Sequence, residues 1–66
     1  ADVVQDIAGR VYIAAGDIHV YANDGRSLGQ IVMPERPLSL VFGGPDNRTL
    51  YVAARTSLYR VSLPAP

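Results

Sequence analysis

His19 is the only histidine in the 66 residues, and histidine is the side chain whose ordinary pKa lets it give and take protons near neutrality. It alternates with Ile18 and Val20 in a strand-like run, which puts it on the opposite face from that apolar pair, in a structural or surface role. Asp6 and Asp17 stand at turn positions. A carboxylate there ordinarily bonds its own nearby backbone, so the two do not read as a catalytic pair. Ser27, Ser39, Ser57 and Ser62 have no partner set that would make one of them a nucleophile. Gly43-Gly44 lacks the spacing and the following helix of a phosphate-cradling loop. Arg26, Arg36, Arg48, Arg55 and Arg60 are spread over turns and strand ends, where they serve solvation and edge protection. Tyr12, Tyr21, Tyr51 and Tyr59 read as packing residues with their hydroxyls at a wet edge.

Composition narrows the classes further. Lysine plus arginine and aspartate plus glutamate each number 6, for a formal net charge of zero; a nucleic-acid binder would carry a basic stripe. The 48% hydrophobic and 18% charged content excludes a disordered chain. The absence of cysteine removes disulfides, thiolate zinc sites and cysteine nucleophiles, and fits any compartment. No apolar run approaches the roughly 20 residues needed to cross a bilayer as a helix. A chain of this size buries only about 60% of the surface it exposes when unfolded. With none of the usual staples of a mini-protein, it folds marginally or needs partner surface.

The elements that hold these residues are strands. Residues 11–15 form a short β-branched and aromatic run, and residues 18–22 follow almost at once across Ala15-Gly16-Asp17, where glycine supplies the positive φ of a tight turn. Asn23-Asp24-Gly25 is the strongest turn signal and predicts a second hairpin into residues 27–33. Pro34 and Pro37 end that strand. Residues 38–42 start afresh, Gly43-Gly44-Pro45-Asp46-Asn47 is a dense loop signal, and residues 49–54 and 57–63 read as two further strands. Residues 2–6 make a weaker first strand, and Pro64-Ala65-Pro66 ends the pairing. No segment has capped helical periodicity. The chain is all-β.

The strands repeat. Arg10-Val11-Tyr12-Ile13-Ala14-Ala15 overlays Thr49-Leu50-Tyr51-Val52-Ala53-Ala54, with the tyrosines 39 positions apart. Ile18-His19-Val20-Tyr21 then matches Leu58-Tyr59-Arg60-Val61 after a one-residue insertion, and residues 2–6 take the place of 38–42 more loosely. A period near 40 with about four short strands per unit describes a β-propeller blade. Residues 1–34 make one four-stranded blade and residues 35–66 a final, partial blade of three strands. That is about one and three-quarter blades, where a propeller needs roughly four to eight. The chain is not a complete propeller on its own.

Two stretches carry a family resemblance. One is His19-Val20-Tyr21 with Asp24-Gly25-Arg26-Ser27-Leu28-Gly29-Gln30-Ile31 and Pro34-Glu35-Arg36-Pro37. The other runs from Phe42-Gly43-Gly44-Pro45-Asp46 through Thr49-Leu50-Tyr51-Val52 to Ser57-Leu58-Tyr59-Arg60. Together they resemble the C-terminal portion of the SMP-30/gluconolactonase/LRE-like family. The resemblance implies a six-bladed propeller with a divalent metal, calcium or zinc, on its axis, which hydrolyses sugar lactones and related esters. A metal in such a site polarises the carbonyl while a carboxylate takes a proton from water.

The resemblance also implies a site residue. Asp6-Ile7-Ala8-Gly9-Arg10 matches a family turn, and a metal-binding aspartate precedes it, which makes Asp2 the candidate metal ligand and catalytic carboxylate. Ala1 stands where the family has proline, no glycine follows Asp2, and the Asp2-to-Asp6 spacing is one residue short, which reverses side-chain facing along a strand. Most of the metal's ligands would come from outside this chain. Three arrangements follow: a piece of a lactonase-type propeller completed by a second chain, the favoured one; identical two-blade copies around a threefold axis; or a fragment that offers its edge strands to partners without catalysis.

Overall fold

β-Branched and aromatic residues in period-two alternation leave strands as the economical way to bury one face of each segment. The computed structural model describes residues 2–63 and shows β1 (Asp2–Gln5), β2 (Val11–Ala15), β3 (Asp17–Tyr21), β4 (Ser27–Ile31), β5 (Pro37–Gly43), β6 (Thr49–Ala54) and β7 (Leu58–Ser62). No helix occurs among the described residues. The strands form two antiparallel meanders, β1-β2-β3-β4 and β5-β6-β7, each like a propeller blade. The ring is not closed: the chain makes part of a propeller.

Differences from the sequence reading are small and local. Strand β3 begins at Asp17 and ends at Tyr21 rather than Ala22, because Ala22 instead opens the turn, its N–H donating to Arg26 O (2.8 Å). Strand β4 ends at Ile31, two residues early. Pro37 does not merely stop a strand; it is the first residue of β5, a place where its missing N–H is tolerated. Strand β7 is Leu58–Ser62, one residue shorter at each end than read. The expectation that Pro64-Ala65-Pro66 ends the pairing falls outside the described residues. Gly16 at φ 78° and Gly25 at φ 91° take the left-handed backbone that the two hairpin turns require.

The register fixes the faces. Tyr12 lies across from Val4 and Val20, and Ala14 across from Asp2 and Ile18. In the second sheet Leu40, Val52 and Tyr59 lie in one row and Phe42, Leu50 and Val61 in the next. The sheets pack through these two faces, and the buried core is Tyr12, Ala14, Ile18, Leu40, Leu50 and Val52. Tyr12 meets Phe42 edge to face, centroids 5.2 Å apart at 78°.

Pairing also corrects the overlay of the first strands. Asp2 pairs with Ala14 as Ser39 pairs with Ala53, and Val4 with Tyr12 as Val41 with Tyr51. Asp2 therefore corresponds to Ser39 and not to Leu38, a shift of one residue. The β5–β6 connection is two residues longer than the β1–β2 one, since a further pair, Gly43 with Thr49, extends the ladder before the turn; the overlay of residues 2–6 on 38–42 required three.

Leu50→Ala removes a fully buried side chain and is expected to cost about 2–5 kcal/mol. Leu58→Ala, at a position 71% exposed, should stay within about 0.5 kcal/mol. Urea unfolding followed by circular dichroism separates the two; equal effects would mean that the wrong face of the second sheet is buried.

Candidate functional site

All six carboxylates accept hydrogen bonds, and three of them, Asp6, Glu35 and Asp2, stand at junctions between strands or sheets. Asp6 follows β1, and the tight connection to β2 wraps round it. Its Oδ1 accepts the N–H groups of Ala8 (3.0 Å) and Arg10 (2.9 Å), and its Oδ2 accepts Arg10 Nε–H (2.6 Å) and the Tyr12 hydroxyl (3.0 Å). Its side chain is only 5% exposed. Burial pushes its pKa up, but the hydrogen bonds from Arg10 and Tyr12 outweigh that and hold it below the ordinary carboxylate value. Tyr12 moves the other way: burial, then its bond to Asp6, pushes the phenol up to about 12.

Glu35 lies between Pro34 and Pro37 in the link joining the sheets. Its Oε1 accepts the Thr56 hydroxyl (2.6 Å) and Thr56 N–H (3.2 Å), and its Oε2 accepts the Tyr59 hydroxyl (2.6 Å). These bonds, that from Thr56 foremost, bring its pKa down to about 2. Both acids stay ionised far below neutrality. A general base needs a pKa close to the working pH, so neither suits that task. They brace the connections instead.

Asp2 differs. It opens β1, the edge strand of its sheet that lies against the edge strand β5 of the other. Leu40 N–H of β5 donates to Asp2 Oδ2 (2.8 Å), and Val3 N–H donates to Oδ1 (3.1 Å). The carboxylate thus ties β1 to β5 while each oxygen keeps a further lone pair. No group of three His, Cys, Asp or Glu side chains gathers among the described residues. One carboxylate does not make a divalent site, since zinc takes about four donors and calcium about six to eight. The described residues do not by themselves supply the donor set of a calcium or zinc ion.

The other residues singled out in the sequence are not drawn together. His19 lies on the outer face of the first sheet, between Ile13 and Gln30, with Nε2 2.9 Å from Ala15 O. Asp17 does not serve its own turn; its Oδ1 accepts Met33 N–H (3.1 Å), sixteen residues on, and anchors the chain leaving β4. Tyr12 is no wet-edge residue but part of the core, 3% exposed. A shallow depression of about 140 Å³, lined by Ser39, Leu40, Val41, Tyr51, Ala53 and Leu58, opens on the outer face of the second sheet. It is well below the roughly 300–1,000 Å³ of small-molecule sites.

Residues 3–56, which build most of both packed sheets, match the model of one protein family, the SMP-30/Gluconolactonase/LRE-like region. The chain belongs to the SMP-30/gluconolactonase/LRE-like family. No curated protein and no solved structure matches it. Within this gluconolactonase-like chain the matched stretch takes in Asp6, Arg10, Tyr12, Glu35 and Thr56 and begins one residue after Asp2. Sequence reasoning missed the partners of Asp6 and all of the Glu35 brace. For Asp6 the signal was an acid four residues before Arg10; Glu35 bonds residues more than twenty positions away, which no local pattern announces.

Asp6 binds its proton less readily folded than unfolded, so its contribution is present above the unfolded value near 3.8 and is lost as pH falls through the lower folded value. Glu35 acts in the same sense between 4.5 and about 2. Tyr12 gives the opposite limb: stability holds below pH 10 and falls as pH rises towards about 12. Asp6→Asn should cost on the order of 2 kcal/mol at pH 7 and flatten the acid limb, and Tyr12→Phe should flatten the alkaline one. Thermal unfolding across pH reads both. Unchanged limbs would mean that these bonds are not formed in solution.

Proposed function

We propose that this chain supplies two neighbouring blades of a metal-dependent, gluconolactonase-like hydrolase acting on sugar lactones or related esters, and that it is active only when further blades complete the ring. The observation that supports this reading is Asp2. Of the six carboxylates, it alone bridges β1 and β5, and each of its oxygens keeps acceptor capacity to spare. Asp6 and Glu35 are held by arginine and hydroxyl donors.

In the completed ring Asp2 is the chain's contribution to catalysis and to metal binding. Its anchoring by Leu40 N–H fixes the carboxylate plane against the neighbouring blade, so that the free lone pairs point from a rigid support. A calcium or zinc ion would draw its remaining donors from blades outside these residues and would polarise the lactone carbonyl. The isolated chain, with one such carboxylate, hydrolyses nothing.

The chain alone should leave an aldonolactone at its spontaneous hydrolysis rate in a pH-stat assay. Mixed with a polypeptide that carries the other blades of a gluconolactonase-family propeller, it should give hydrolysis that EDTA abolishes. Asp2→Asn, which keeps an acceptor for Leu40, should lower that rate by about 10²-fold or more. Activity of the chain by itself, or full activity of the mixture with Asp2→Asn, contradicts the proposal.

A further inference from the structure

The internal repeat reverses the fate of its residues. By strand register Tyr12, Ala14 and Ile18 correspond to Tyr51, Ala53 and Leu58. In the first sheet this set is buried, Ile18 completely; in the second sheet Leu58 is 71% exposed. The converse also holds. Leu40, Leu50 and Val52, which cover the first set, correspond to Val3, Val11 and Ile13, and Val3 is 59% exposed on the outer face of the first sheet. The molecule therefore shows at one end the kind of face that its own core accepts, and at the other the kind of face that its own core inserts.

We propose that a second copy of this chain docks head to tail, the outer face of its first sheet seated on the outer face of the second sheet, in the geometry of the internal interface. The apolar depression bounded by Tyr51, Ala53 and Leu58 receives Val3 and Ile13 of the neighbouring copy, as Tyr12, Ala14 and Ile18 receive Leu40 and Val52 within the chain. The interface is heterologous, and repetition of one rotation closes a ring. With two blades per copy and roughly four to eight blades per propeller, about two to four copies suffice. Arg60 stands at the place of Val20, and Gln5 at that of Phe42, so the contact between copies is more polar than the internal one and is reversible. The proposal goes beyond the hydrolytic reading: an inactive ring satisfies it.

Light scattering on the purified 66-residue chain over a concentration series tests it. The expected particle has a mass about two to four times the 7.1 kDa of one chain. Leu58→Arg and Val3→Arg, at exposed positions remote from the core, should each return it to single chains with the β-type circular dichroism retained. Cysteine pairing sets the orientation, since the native chain has none. Asp2 and Leu40 meet inside the chain, and their counterparts are Ser39 and Val3. Mixing Ser39→Cys with Val3→Cys should then give the mixed disulfide in excess over either homodimer. A chain that stays monomeric throughout, or disulfides that join Ser39→Cys to itself, overturns the proposal whatever the lactonase assay shows.

Discussion

A β-sheet has two faces, and a molecule of two packed sheets can bury only one face of each. This constraint orders everything else in the chain. The buried pair is the Tyr12, Ala14 and Ile18 face against the Leu40, Leu50 and Val52 face, locked where the Tyr12 ring meets Phe42 edge to face. Once Tyr12 is committed to the interior its hydroxyl needs an acceptor there, and Asp6 supplies it; Arg10 then neutralises Asp6. Asp2 and Glu35 complete the join, the first between β1 and β5 and the second between the link joining the sheets and Thr56 and Tyr59 of the second sheet.

Much of this was legible in the sequence. Alternation and turn residues placed all seven strands, and Gly16 and Gly25 took the backbone their turns demand. What escaped was the choice of face. Tyr12 and Tyr51 look equivalent in the repeat and are equivalent in the register, yet one is core and the other looks outward, because only one side of each sheet has a partner. Nothing in a period of two says which side that is. The role of Glu35 escaped for a related reason: its donors, Thr56 and Tyr59, are near only after the second sheet has folded back on the link.

Two carboxylates that caught attention as chemistry or turn residues, Asp6 and Asp17, are fully explained by the backbone and side chains they hold. Asp2 is left over in a useful sense. Its bond from Leu40 N–H occupies one lone pair and fixes its place at the seam between the two sheets. Family membership rests on the matched stretch, residues 3–56.

The choice of buried face is the point on which the fold, the Asp6 cluster and the outward surfaces all depend, and ring-to-ring nuclear Overhauser contacts read it most directly. Cross-peaks between the ring protons of Tyr12 and Phe42, the pair 5.2 Å apart between centroids, are the predicted result. If Phe42 shows no contact with Tyr12, and Ile13 or His19 meets the second sheet within the same chain instead, the sheets pack through the opposite face and the account is wrong.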